Sequence, residues 1–174
     1  MDPETLAELQ EFRREKEAFF RTDPMSPVPP EQRQSFAGLA YYEPDDALTF
    51  EVMPELHEDP EDVVLQTSDA TTRTYERWAN LPFEVDGKSV ALTLYRDPES
   101  GHLFLPFQDE TSGQETYPAG RYLEVPVLDD GRLLLDFNYA YHPFCAYNPH
   151  YSCPIPPVEN KLPVAIRAGE RNPD

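Results

Sequence analysis

Apolar residues recur along the chain at two spacings. Over the first two dozen residues the period is close to 3.6: Leu6, Leu9, Phe12, Phe19 and Phe20 fall on one stripe, interrupted by Lys16. Asp2 is a good N-cap, Pro3 suits the first helical position, and Glu4 complements the positive end of a helix. The spacing predicts a helix from Pro3 to Arg21, stopped at Asp23-Pro24 and followed by the stiff segment Ser26–Pro30. The stripe is expected to cover one end or face of a sheet, with a homodimer contact as the alternative use.

From Gly38 the pattern changes to alternation with period two. Strands are expected at Leu39–Tyr42, Leu48–Glu55, Val63–Gln66, Thr72–Trp78, Leu81–Val85, Ser89–Tyr95, His102–Pro106, Arg121–Val127, Leu133–Phe137 and Leu162–Ala168. Asp86-Gly87 is a two-residue hairpin signal, and Asp97–Gly101 and Asp129–Gly131 are further tight turns. Short strands joined mostly by hairpins imply a mainly β fold: an antiparallel barrel-like or sandwich meander with one N-terminal α-helix. The expected division is a helix over 1–23, a Pro-rich linker over 24–37 and a single antiparallel β domain over 38–170. No internal repeat breaks that reading.

Composition sharpens this picture in one respect. At 174 residues, with 39% hydrophobic and 12% aromatic residues, the chain can bury a real core. No apolar run approaches a membrane span and Met1 opens on a polar segment, so a soluble, cytoplasmic protein is expected. Thirty-three acids against fourteen bases, however, give a formal charge of -19. The acids are spread along the chain, and Lys16, Lys88 and Lys161 are the only lysines. Such a surface repels itself unless salt screens it, which suggests a halophilic protein from a salt-adapted cytoplasm, with a merely acidic, soluble protein as the alternative. Nucleic acid is a poor partner, because no basic stripe could replace phosphate counterions.

Several long motifs carry a resemblance: REKEAFF (Arg14–Phe20), FAGLAYYEPD (Phe36–Asp45), FQDETSGQETYPAGRYL (Phe107–Leu123), LDFNYAYHPFCAYNP (Leu135–Pro149) and CPIPPVENKLPVAIRAGE (Cys153–Glu170). With these motifs the chain resembles the domain-of-unknown-function family 1684 over about nine-tenths of its length. The resemblance implies relatives and a shared fold, and no activity.

Four groups of residues could carry chemistry. His142, Cys145, His150 and Cys153 offer H-x2-C-x4-H-x2-C, four donors suited to structural zinc. Pro143, Pro149 and Pro154 stiffen the same loop, and the cysteines alternatively form a disulfide or close pair across nine residues, or two separate buried thiols. Asp109 and Glu115, with Arg121 following, could bind a cation or clamp an anionic ligand; the simpler use is a turn through Thr111-Ser112-Gly113 and an arginine paired inside the fold. Alternation places Leu134, Asp136 and Asn138 opposite Leu133, Leu135 and Phe137. An Arg121–Asp136 pair with Asn138, under a rim of Tyr117, Tyr122, Tyr141 and Tyr147, would make a pocket for a small planar or anionic ligand. A salt bridge that only fixes strand register is the competing use. Glu159 and Asn160 are expected to anchor the returning proline-rich loop, and Trp78 to pack at the core or rim.

A small-molecule-binding β-barrel is therefore the leading functional expectation. A hydrolase-type enzyme, metal-assisted at the His/Cys cluster or acid–base through Asp109, Glu115 and Asp136, is the second. A helix-mediated interaction module is the third. No G-x-S-x-G elbow, phosphate-cradling glycine loop or H-E-x-x-H is present.

Overall fold

Local chemistry starts the helix where the sequence places it. In the computed structural model, which describes residues 1–174, the Asp2 carboxylate accepts hydrogen bonds from the backbone N–H groups of Glu4 and Thr5 at 3.1 and 3.0 Å. Helix α1 then runs Pro3–Thr22. Its Leu9 and Phe20 are fully buried. Lys16 interrupts the apolar stripe because its ammonium reaches the buried carboxylate of Glu170 at 2.5 Å, lying 4.7 Å from the centre of the Tyr141 ring. The stretch after the helix folds back against it. The Ser26 hydroxyl donates to the Phe20 carbonyl, and Phe36 packs on Phe20 with ring centroids 6.2 Å apart.

The strands are β1 (Ala40–Tyr41), β2 (Thr49–Val52), β3 (Glu55–Gln66), β4 (Thr72–Val85), β5 (Lys88–Arg96), β6 (Leu103–Phe107), β7 (Arg121–Leu123), β8 (Leu133–Asp136) and β9 (Glu170–Arg171). β3 to β7 form one antiparallel meander in chain order; β2 pairs with β8 and β1 with β9 as two-stranded ribbons. The meander and the β2–β8 ribbon share a core of 20 residues that includes Leu81, Leu92, Leu105, Phe107, Leu135 and Phe137. The antiparallel, mainly β architecture holds without a closed barrel.

The β4–β5 hairpin turns at Asp86 and Gly87, with φ of +49° and +79°, the pair of positive values that a type I′ turn needs. Most expected strands shift by a few residues, and Arg121–Val127 shortens to Arg121–Leu123; three differences are larger. Thr72–Trp78 and Leu81–Val85 are one strand, β4, which bulges between Arg77 and Ala79 and so mimics a break in the pattern. β3 begins eight residues before Val63, because Glu55–Asp62 is an exposed, acidic edge with no apolar alternation to announce it. Leu162–Ala168 is not a strand. Leu162, Val164, Ile166 and Ala168 are buried in alternation, yet their backbone partners come from loops and from two side chains.

Candidate functional site

Arg121 opens β7 and is the largest fully buried side chain in the molecule, at 1% exposure. Its guanidinium donates to the backbone carbonyls of Ile166 at 2.7 Å, Ala168 at 2.6 Å and Glu170 at 3.0 Å, and lies 3.5 Å from the Asp109 carboxylate. Asp109 in turn accepts from the N–H of Ile166 at 2.5 Å and from the Thr111 hydroxyl at 2.7 Å. Arginine and aspartate together replace the neighbouring strand that Leu162–Ala168 lacks. This corrects the sequence reading: Arg121 pairs with Asp109 rather than Asp136, and it faces packed backbone instead of a ligand cavity. A buried guanidinium needs several acceptors to offset its lost hydration, and carbonyls of an unpaired extended segment supply them.

The remaining predicted ligand residues divide between scaffold and surface. Asn138 is buried at 1% exposure and clamps the Asp45 backbone, accepting from its N–H at 2.9 Å and donating to its carbonyl at 3.0 Å. Glu115 holds Arg167 in a bidentate pair at the surface, with bonds of 3.1, 3.2 and 2.9 Å. The Tyr122 hydroxyl donates to the Pro154 carbonyl, and the Tyr147 hydroxyl donates to Glu170 at 3.1 Å. Asp109, Glu115 and Asp136, offered as an acid–base set, are each held by different partners.

Asp136 and Tyr141 do meet at a cavity. A groove of about 480 Å³ lies between α1 and the outer face of β8, lined by Thr5, Glu8, Phe12, Glu124, Pro126, Leu134, Asp136, Tyr139 and Tyr141. Alternation along β8 places it there: Leu133 and Leu135 enter the core, so Leu134 and Asp136 face the helix. Asn138 leaves that face because a 3-10 turn begins at Phe137. Phe12 and Tyr139 meet edge to face at 5.0 Å and form one wall. The Tyr141 hydroxyl donates to Glu124 at 2.7 Å. Asp136 accepts from Thr49 and Asn138 through Oδ1, at 3.1, 3.1 and 2.8 Å, while no protein donor reaches its Oδ2. No lysine or arginine lines the groove. Thr5, Glu8, Glu124 and Pro126 carried no signal in the sequence: docking of α1 brings the first two, and the hydrogen bond from the Leu134 N–H to the Pro126 carbonyl sets the others beside β8.

The loop with both cysteines takes a different form from the zinc expectation. His142 is buried; its Nε2 accepts from the Tyr117 N–H at 3.3 Å. Burial first, then the charges of Arg121 and Lys16, depress its pKa to about 3, so it is a neutral packing group. His150 is exposed. No three His, Cys, Asp or Glu side chains gather as a metal site, because the stiff loop sends the two histidines to opposite environments. Cys145 and Cys153 are free, half-exposed thiols that neighbour one another, with the Tyr117 hydroxyl 3.7 Å from the Cys145 sulfur. The Cys153 thiol is the main influence lowering Cys145 to about 6, and the same contact pushes Cys153 upward.

Elsewhere the sequence reading holds, except at Glu159. Asn160 anchors the returning loop, accepting from Thr93 N–H at 2.8 Å and donating to the carbonyls of Thr93 and Pro106 at 2.8 Å each. Glu159 differs from the expected backbone anchor: its carboxylate bonds side chains, Arg77 at 2.9 Å and the Tyr95 hydroxyl. Trp78 packs at the edge of the core under the Arg96 guanidinium.

No helix is long and apolar enough to cross a membrane. No curated protein matches the chain. An uncharacterized protein of Haloarcula marismortui, solved in solution by NMR, is 46% identical and superposes with a TM-score of 0.73, over 99% of this chain and 98% of that one. That match extends over the residues of α1. Residues 34–171, carrying the Arg121 clamp, β8 and both cysteines, match the profile described as "Protein of unknown function (DUF1684)", and the chain belongs to that family.

Proposed function

We propose that the protein binds a small organic cation with an apolar or aromatic body in the groove between α1 and β8. The observation that carries this reading is the lining itself. Phe12 and Tyr139 provide aromatic surface, Leu134 and Pro126 an apolar floor, and Glu8, Glu124 and Asp136 the negative charge; no lysine or arginine lines the groove, and the Lys16 ammonium already occupies the Tyr141 ring at 4.7 Å. An ammonium or guanidinium group is attracted both to carboxylates and to aromatic faces, at about 0.5–2 kcal/mol for a cation–π contact. The volume suits a ligand of that size, and pockets of this mixed character are the usual small-molecule sites. An anion is disfavoured here, because the arginine that would have attracted one is committed to backbone carbonyls.

Titration calorimetry with phenethylammonium and benzyltrimethylammonium, against phenylacetate at the same ionic strength, tests the reading. Saturable binding of the cations and none of phenylacetate is expected. Phe12→Ala and Glu124→Gln should each weaken that binding by about three- to tenfold. Equal affinity for phenylacetate, or unchanged affinity in both variants, would count against the groove.

The acidic composition supports a second element of the reading, a protein suited to concentrated salt. With 33 acids and 14 bases, most carboxylates lack a partner cation, and screening by dissolved ions takes that place.

A further inference from the structure

We propose that Cys145 and Cys153 are a reversible dithiol–disulfide pair that exchanges with low-molecular-weight disulfides, Cys145 attacking and Cys153 resolving. The pair lies outside the groove and takes no part in the binding proposed there. Three features of its geometry point to exchange chemistry. Both thiols are free, adjacent and half-exposed, so a small disulfide can reach them. The Tyr117 hydroxyl lies 3.7 Å from the Cys145 sulfur, close enough to donate to a thiolate there, and no side-chain hydroxyl bonds the Cys153 sulfur. Cys153 is held in place: its N–H donates to the Ser68 hydroxyl at 3.1 Å, its carbonyl accepts from the Ser68 N–H at 2.9 Å, and Pro154 bridges to Thr67. A fixed resolving thiol beside a stabilised thiolate is the arrangement that thiol–disulfide exchange requires.

The chemistry balances without a further reactant. The Cys145 thiolate attacks one sulfur of R–S–S–R, forming Cys145–S–S–R and expelling R–S⁻, which takes a proton from solvent. Cys153 then loses its proton and its thiolate attacks the Cys145 sulfur. The internal disulfide forms, the second R–S⁻ leaves and is protonated, and two electrons have passed from the dithiol to the small disulfide. The new bond would tie the β3–β4 turn, through Cys153, to the 3-10 turn Phe144–Ala146, whose Phe144 packs edge to face on Phe20 of α1 at 5.9 Å.

The aromatic disulfide DTNB tests this on the reduced full-length protein, with mass spectrometry as the second readout. Release of two equivalents of thiolate, together with a protein that has gained no adduct and lost two hydrogens, is expected. Cys153→Ser should halve the release and leave a stable mixed disulfide on Cys145. Cys145→Ser should slow the reaction at pH 7 by on the order of tenfold or more. The wild-type rate should rise with pH through a midpoint near 6. Two separate adducts per chain would overturn the proposal. So would failure of the folded protein to react when the denatured protein does, or a Cys145→Ser variant as fast as wild type.

Discussion

Arg121 and His142 show how burial settles what a titratable side chain can do. Both lie in the interior of the same half of the molecule, and their fates differ because one can lose its charge and the other cannot. Arg121 keeps its charge and consumes three carbonyls and a carboxylate to do so. Replacing it with leucine takes the guanidinium from Asp109 and leaves those carbonyls unpaired, so Arg121→Leu should destabilise the fold by at least about 3 kcal/mol in urea denaturation. Arg121→Lys should recover only part of that loss, since a single ammonium cannot span the fork of acceptors.

His142 goes the other way. Its pKa is depressed from 6.5 to about 3 in the folded protein, so below 6.5 the unfolded chain binds a proton that the folded chain refuses. Stability is therefore full above pH 6.5 and falls as pH drops from there toward 3. His142→Gln, which keeps an acceptor for the Tyr117 N–H, should flatten that part of a plot of unfolding free energy against pH.

At the scale of elements, the turn between the last buried segment and β9 depends on a single glycine. Gly169 has φ of +76°, and a methyl group there would sit 2.5 Å from the Ala140 carbonyl oxygen and 2.7 Å from that of Phe137. Gly169→Ala should cost more than the roughly 1 kcal/mol of an ordinary glycine-to-alanine strain, with melting temperature as the readout. Gly87→Ala, in open space at the β4–β5 turn, should cost only that backbone strain.

Elements were legible in the sequence wherever a local rule forced them. The Asp2 cap and the Asp86-Gly87 turn were readable because backbone geometry admits few residues there. Leu162–Ala168 was misread because alternation reports burial and not pairing; its partners are a guanidinium, a carboxylate and loop backbone that no local pattern reveals. The acidic half of β3 was missed because both its faces are wet. The groove was half legible: alternation along β8 put Leu134 and Asp136 together, but Glu8 and Phe12 reach them only through helix docking.

For the molecule as a whole, charge outweighs any single contact. A net charge of -19 on 174 residues opposes compaction at low ionic strength, where the Debye length is about 10 Å at 0.1 M and about 3 Å at 1 M. Raising potassium chloride from about 0.1 M to about 2 M should raise the melting temperature substantially, and most of the gain should arrive before about 1 M, where screening is nearly complete. A flat response would argue that specific ion pairs, such as Arg167 with Glu115, already balance the surface.

The guanidinium at position 121 recognises oxygens that every amino acid possesses. Residues 166 and 168 can therefore change identity, within the room the interior allows, without the clamp noticing. Position 121 has no such latitude: drift in this family should be tolerated on the grasped segment and arrested at the hand that grips it.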